Sequence, residues 1–205
     1  HCCLLGQRLL RRDFRVRLAE REDLPQLLEL EEACWPEGLR AGEEVLATRL
    51  ETSPTTNLVS TQGGKVTAVL YMQRIMGTAA IEGRTISDIS GIHSPSGKLL
   101  QLIAIVADPK HRGAGAELRA FALRWARLEP SIAGAVAVTL ARGHEQRGGG
   151  GGLQDYVDRH SRGELLDPLL GFHTGFGARV RGLVPGYRPA DAANRGNGVL
   201  VEYDL

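Results

Sequence analysis

The chain has 205 residues and a near-balanced charge, 25 Lys and Arg against 24 Asp and Glu for a formal net charge of +1. That length suits one domain with a sizeable core, and the balance makes no case for nucleic acid or a membrane surface as partner. Its 3 cysteines, Cys2, Cys3 and Cys34, are odd in number and lack C-x-x-C spacing, which argues against a disulfide framework or a metal site and predicts a reducing compartment, the cytoplasm.

The opening His1-Cys2-Cys3-Leu4-Leu5 has no initiator Met and is too short an apolar stretch for a signal peptide. No run approaches the roughly 20 apolar residues of a membrane span. Residues 1–13 read as a linker or extension before a single core over 14–205, the whole cut from a longer protein. Phe14 to Leu18 alternates as a strand. A helix begins at Asp23-Leu24-Pro25-Gln26, with Asp23 as N-cap, Gln26 three residues on, and Leu24, Leu27 and Leu28 toward the core. Its Glu29, Glu31 and Glu32, like Glu43 and Glu44 further on, read as solvated helix faces. A second helix is expected from Ala41 to Glu51. Two strands follow, Asn57 to Gln62 and Val66 to Ile75, about the turn Gln62-Gly63-Gly64-Lys65.

The strand Leu102-Ile103-Ala104-Ile105-Val106 then breaks at Asp108-Pro109 into Lys110-His111-Arg112-Gly113-Ala114-Gly115 and a helix. Such a turn suits a pyrophosphate, because glycines permit close backbone approach and the first N–H groups of a helix point outward at the positive end of its dipole. The same glycine spacing serves a tight turn that binds nothing. In the helix, Leu118, Phe121, Ala122, Trp125 and Leu128 recur as a core stripe. Gly134 to Leu140 is another buried strand, followed by a glycine-rich, mobile segment from Arg142 to Gly152. Helical residues from Gln154 lead to Leu165 through His173, and two strands, Arg179 to Val184 and Gly198 to Tyr203, complete a mixed, mostly antiparallel α+β sheet.

This order, with Val106-x-x-Pro109-x-x-Arg112-Gly113-x-Gly115, resembles the GNAT superfamily, the acetyltransferase fold that binds acyl-coenzyme A. Arg112, Gly113, Ala114 and Gly115 fit that superfamily's motif, and Glu117 departs from it at the last place. The resemblance implies coenzyme A or a phosphopantetheine thioester as substrate carrier, held by main-chain amides of Gly113, Ala114, Gly115, Ala116 and Glu117. It also implies a pantetheine arm along Ile105 and Val106, where two central strands splay apart. Amine acetylation needs a base, yet Gln101 to Ala107 holds no carboxylate, and His173 stands where a thiolate-protonating Tyr is usual.

The tail is more specific. Phe172-His173-x-x-x-Gly177-Ala178, Leu183-Val184-Pro185-Gly186-Tyr187-Arg188-Pro189-Ala190-Asp191 and Gly198 to Asp204 resemble the GNAT-like domains in loading modules of modular polyketide synthases. That resemblance implies decarboxylation of a malonyl-type thioester to an acyl starter unit, with Thr139 and His173 as catalytic residues, Arg188 in substrate selection and Trp35 in the active site. Each has a plainer reading: a strand hydroxyl, a core histidine, a loop charge, core packing beside Pro36. A β-carboxyl thioester contains its own electron sink, so no metal or prosthetic group is required. An acyl carrier protein is the implied partner, and it must lie elsewhere because the chain holds no Asp-Ser-Leu attachment site. S-acyl transfer from coenzyme A to that carrier, or a silent docking module, are the other readings.

Overall fold

The computed structural model describes residues 2–5, 8–11, 14–147 and 152–205. Strands β1 (Cys2–Leu5) and β2 (Arg8–Arg11) pair as an antiparallel ribbon within the stretch expected to be a linker. The core follows as β3 (Arg15–Leu18), α1 (Leu24–Cys34), α2 (Glu43–Thr52), β4 (Leu58–Gln62), β5 (Lys65–Ile75), β6 (Leu99–Ala107), α3 (Ala114–Leu128) and β7 (Gly134–Thr139). The short α4 (His144–Arg147), α5 (Leu153–Ser161), α6 (Pro168–Thr174), β8 (Ala178–Val184) and β9 (Gly198–Tyr203) complete it. Part of the glycine segment, 148–151, lies outside the described residues.

Seven strands form one sheet in the order β3-β4-β5-β6-β7-β9-β8, antiparallel except for the β6–β7 pair. The mixed α+β reading holds. Central β5 is buried on both faces, with Val69, Tyr71 and Ile75 meeting α1 and α2 through Leu27, Leu30, Leu46 and Leu50, while Ala68, Leu70 and Met72 meet α3. Burying each such aliphatic side chain stabilises by about 1.5–3 kcal/mol.

Two local features open this sheet. Tyr71 pairs with Ala104 but Met72 pairs with Leu102, so Ile103 is an extra residue, a β-bulge that increases local twist. The parallel pairing of β6 and β7 runs from Leu99↔Gly134 to Leu102↔Ala137 and stops there. Beyond it the C-terminal half of β6 diverges from Val138 and Thr139.

Three local expectations need correction. Asp23 precedes α1 but its carboxylate does not cap it, accepting instead from Glu20 N at 2.9 Å and the Arg17 guanidinium at 2.6 and 2.7 Å, while Gln26 accepts from Val66 N. Asp23 is taken by the turn that precedes the helix and Gln26 by a distant strand. The buried stripe of α3 is Leu118, Ala122, Leu123 and Ala126; Phe121 and Leu128 are exposed, because at about 100° per residue they point away from that face. Glu31 is buried rather than solvated, one turn beyond Leu27 on the same face, where its carboxylate accepts from Ala41 N at 3.2 Å.

Candidate active site

The turn after β6 is shaped by Asp108, whose carboxylate accepts from Lys110 N at 2.9 Å and meets His111 Nδ1 at 3.2 Å. Those contacts, the Lys110 N–H first, hold its carboxyl below the usual carboxylate range. Gly113 caps α3 at φ 91°, a left-handed conformation that favours glycine. Five amides, Gly113 to Glu117, were expected to face an anion; two are otherwise engaged. Ala114 N donates to His111 O at 3.1 Å and Glu117 N to Gly113 O at 2.9 Å. Gly115 and Ala116, second and third in the helix, carry first-turn N–H groups and line the cleft. Gly115 permits the close approach of helix to strand, since a Cβ there would stand 3.0 Å from Ile105 Cγ2. Arg112, Ala114 and Glu117 face a separate concavity with Lys110 and His111 on the outer side of the turn.

A cavity of about 450 Å3 fills the gap between β6 and β7. Ile103, Ala104, Ile105 and Ala107 wall one side, Val138, Thr139 and Leu140 the other, with Trp35, Phe172 and His173 completing it. The lining is mostly apolar. Ile105 lines the cavity, whereas Val106 is buried in the core. Thr139 is the last residue of β7, paired with Val199. His173 lies near the end of α6.

Asp167 holds those two residues in register. Its buried carboxylate caps α6 by accepting from Leu169 N at 2.8 Å and Leu170 N at 2.9 Å, with Pro168 in the first turn. The other oxygen accepts from Gly143 N at 2.7 Å and Tyr156 Oη at 3.1 Å, so the loop after Thr139 is tied to the helix bearing His173.

His173 Nδ1 lies 2.6 Å from Tyr203 Oη. Burial, with a smaller contribution from the Arg119 charge, lowers the imidazole to about 3, so the ring is neutral at neutral pH. Tyr203 is itself pushed up to about 12, chiefly by burial. Arg119, on α3, donates to the Phe172 carbonyl and sets its charge beside Tyr203, and its guanidinium lies 3.8 Å from the Phe172 ring centroid and 4.3 Å from that of Phe176. Neither Arg119 nor Tyr203 was anticipated. A buried Arg in an amphipathic helix was the available signal.

Trp35 ends α1 and lines the cavity; Arg188 does not line it. The Arg188 guanidinium lies behind, 5.0 Å from the Trp35 ring, facing a smaller cavity of about 100 Å3 with Glu31, Arg40 and Arg49. Burial pushes the Glu31 carboxyl up despite Ala41 N, Arg49 and Arg188. Thus Thr139, His173 and Trp35 meet at one cavity, and Arg188 stands behind Trp35. Among the described residues no group of His, Cys, Asp and Glu forms a metal site.

No protein-family model and no curated protein sequence matches the chain. Solved structures do. The loading GNATL domain of CurA from Lyngbya majuscula is 32% identical, with a TM-score of 0.88 over 94% of this chain and 98% of that one. The chain belongs to the GNAT-like domain family. A second member, the GphF GNAT-like decarboxylase in complex with isobutyryl-CoA, is 37% identical, with a TM-score of 0.82 over 93% of this GNAT-like domain and 98% of its own chain. The ribosomal-protein-S18-alanine N-acetyltransferase from Escherichia coli is 13% identical at a TM-score of 0.58 over 94% of each chain, a likeness of fold alone. The GNAT fold expected from the order of elements is therefore the observed one.

Proposed function

We propose that this GNAT-like domain decarboxylates a malonyl-type thioester, leaving the acyl starter unit on its original thiol. The observation that carries this reading is the placement of Thr139 and a neutral His173 on an apolar cavity at the splay of β6 and β7. Gly115 and Ala116 N–H meet the pyrophosphate of coenzyme A, and the pantetheine arm follows the unpaired half of β6 into that cavity. A carrier-protein arm enters by the same route. The odd cysteine count and the free thiol of Cys34 suit the reducing cytoplasm.

Breaking the bond from Cα to the carboxylate releases carbon dioxide and sends the electron pair into an enolate whose charge rests on the thioester oxygen. Uptake of one proton from water at Cα then gives the acyl thioester. The apolar walls disfavour the localised carboxylate charge more than the dispersed one. An oriented donor at the thioester oxygen acts on the transition state, and losing one typically costs about 2.7–4 kcal/mol. His173 and Thr139 supply such donors. Arg188 acts on the cavity's shape through Trp35, a contact worth about 0.5–2 kcal/mol, and so on substrate selection.

Carbon dioxide release from a malonyl-type coenzyme A thioester, with a small amine present, tests the reading. Release by the wild-type chain with the amine unmodified supports it. Acylation of the amine with the carboxylate intact contradicts it.

A further inference from the structure

We propose that Tyr203, oriented by Arg119, holds His173 in the tautomer protonated at Nε2, so that the ring offers the cavity a hydrogen-bond donor rather than a base. The inference rests on the decarboxylation reading only for its catalytic consequence. A guanidinium has no acceptor, so Arg119, whose charge lies beside Tyr203, cannot take the phenol's proton, and that proton remains to be placed. Among the described residues the hydrogen-bond partner of Oη is His173 Nδ1, at 2.6 Å. A buried O–H without an acceptor is costly, so the tyrosine donates and Nδ1 is the bare nitrogen.

The neutral ring then carries its proton on Nε2. Nδ1 is occupied by Tyr203, so Nε2 is the nitrogen left for the cavity that His173 lines. A bare Nε2 would act as a base, which a reaction that releases carbon dioxide does not need. A protonated Nε2 meets the oxygen on which negative charge grows. The relay spans three elements: α3 supplies Arg119, β9 supplies Tyr203, and α6 supplies His173. Arg119 also donates to the Phe172 carbonyl, the residue before His173, fixing the backbone from which the ring projects. Arg119 and Tyr203 are positioning residues.

A long-range 1H–15N spectrum of protein labelled at the histidine nitrogens tests this directly, with His173 assigned by its loss in His173→Gln or His173→Asn. The wild-type ring should be protonated at Nε2 and bare at Nδ1. In Tyr203→Phe the Nδ1–H form should gain population, and kcat should fall about tenfold with KM changed less than about twofold. Arg119→Lys, which keeps a cation beside Tyr203, should retain the Nε2–H form. A loss of stability alone would move neither the tautomer nor the split between kcat and KM. A wild-type ring protonated at Nδ1, or a Tyr203→Phe variant with tautomer and kcat unchanged, overturns the relay. If Tyr203→Phe does not fold, the wild-type spectrum decides. A chain with the Nε2–H ring that releases no carbon dioxide supports the relay and contradicts decarboxylation; release by a chain with the Nδ1–H ring does the reverse.

Discussion

Neutrality of His173 has consequences at two pH-dependent observables. In the unfolded chain the imidazole titrates at about 6.5, and in the native state at about 3, so the unfolded state binds the extra proton as pH falls between those values. Stability contributed by the neutral ring is therefore full above the unfolded value and is lost on acidification. Between pH 7 and pH 5 this one residue should account for about 2 kcal/mol of lost unfolding free energy, a slope missing from His173→Gln in denaturant titrations. Activity should behave differently, because the ring is already in its working form: kcat should lack an acid limb from His173 down to about pH 5. His173→Ala and Thr139→Val should each lower kcat and kcat/KM together by about 10²-fold, and their double variant should fall short of the product. Arg188→Ala should chiefly raise KM or broaden substrate choice, as expected of a residue behind Trp35. Thr139, His173 and Trp35 were legible because short words around them match a family. Arg119 and Tyr203 were not, since their meeting with His173 depends on how α3, β9 and α6 pack, which no local pattern encodes. Glu31 misled for the opposite reason, its acidic neighbours suggesting a solvated face.

Elements carry the site through two joints. At the first, α3 approaches β6 across Gly115, where a Cβ would stand 3.0 Å from Ile105 Cγ2. An acyl-coenzyme A should raise the melting temperature of the wild-type chain, and Gly115→Val should press on Ile105 and abolish that rise, with circular dichroism unchanged. A full thermal shift in that variant would place the ligand elsewhere. At the second, Asp167 joins α6 to the loop after β7. Asp167→Ala leaves four donors without their acceptor, two of them in the first turn of a helix, and should cost about 3 kcal/mol or more in chemical denaturation. The glycine turn and the strands around it were readable from composition and periodicity. The Asp167 joint was not, because its partners lie 24 and 11 residues away as well as next door.

Across the molecule, the fold makes a cavity by withholding hydrogen bonds. A sheet of seven strands keeps its order while one extra residue, Ile103, and one truncated parallel ladder, Leu99 to Leu102, open a gap in its middle. The order of strands and helices announced the fold, yet a bulge has no signature in a run such as Leu102-Ile103-Ala104-Ile105. The gap combines apolar walls, two helix amides at its mouth and two neutral hydrogen-bonding side chains within. Such a site suits a thioester whose carboxylate must lose its charge more than it suits an amine that must lose its proton. Mass spectrometry of a carrier protein loaded in turn with malonyl, methylmalonyl and dimethylmalonyl groups, incubated with this domain and a second, unloaded thiol, tests that claim most directly. At least one member of the series should lose carbon dioxide while its acyl group stays on the original carrier. Movement of the acyl group to the second thiol with its carboxylate intact, and no loss of carbon dioxide from any member, would contradict it.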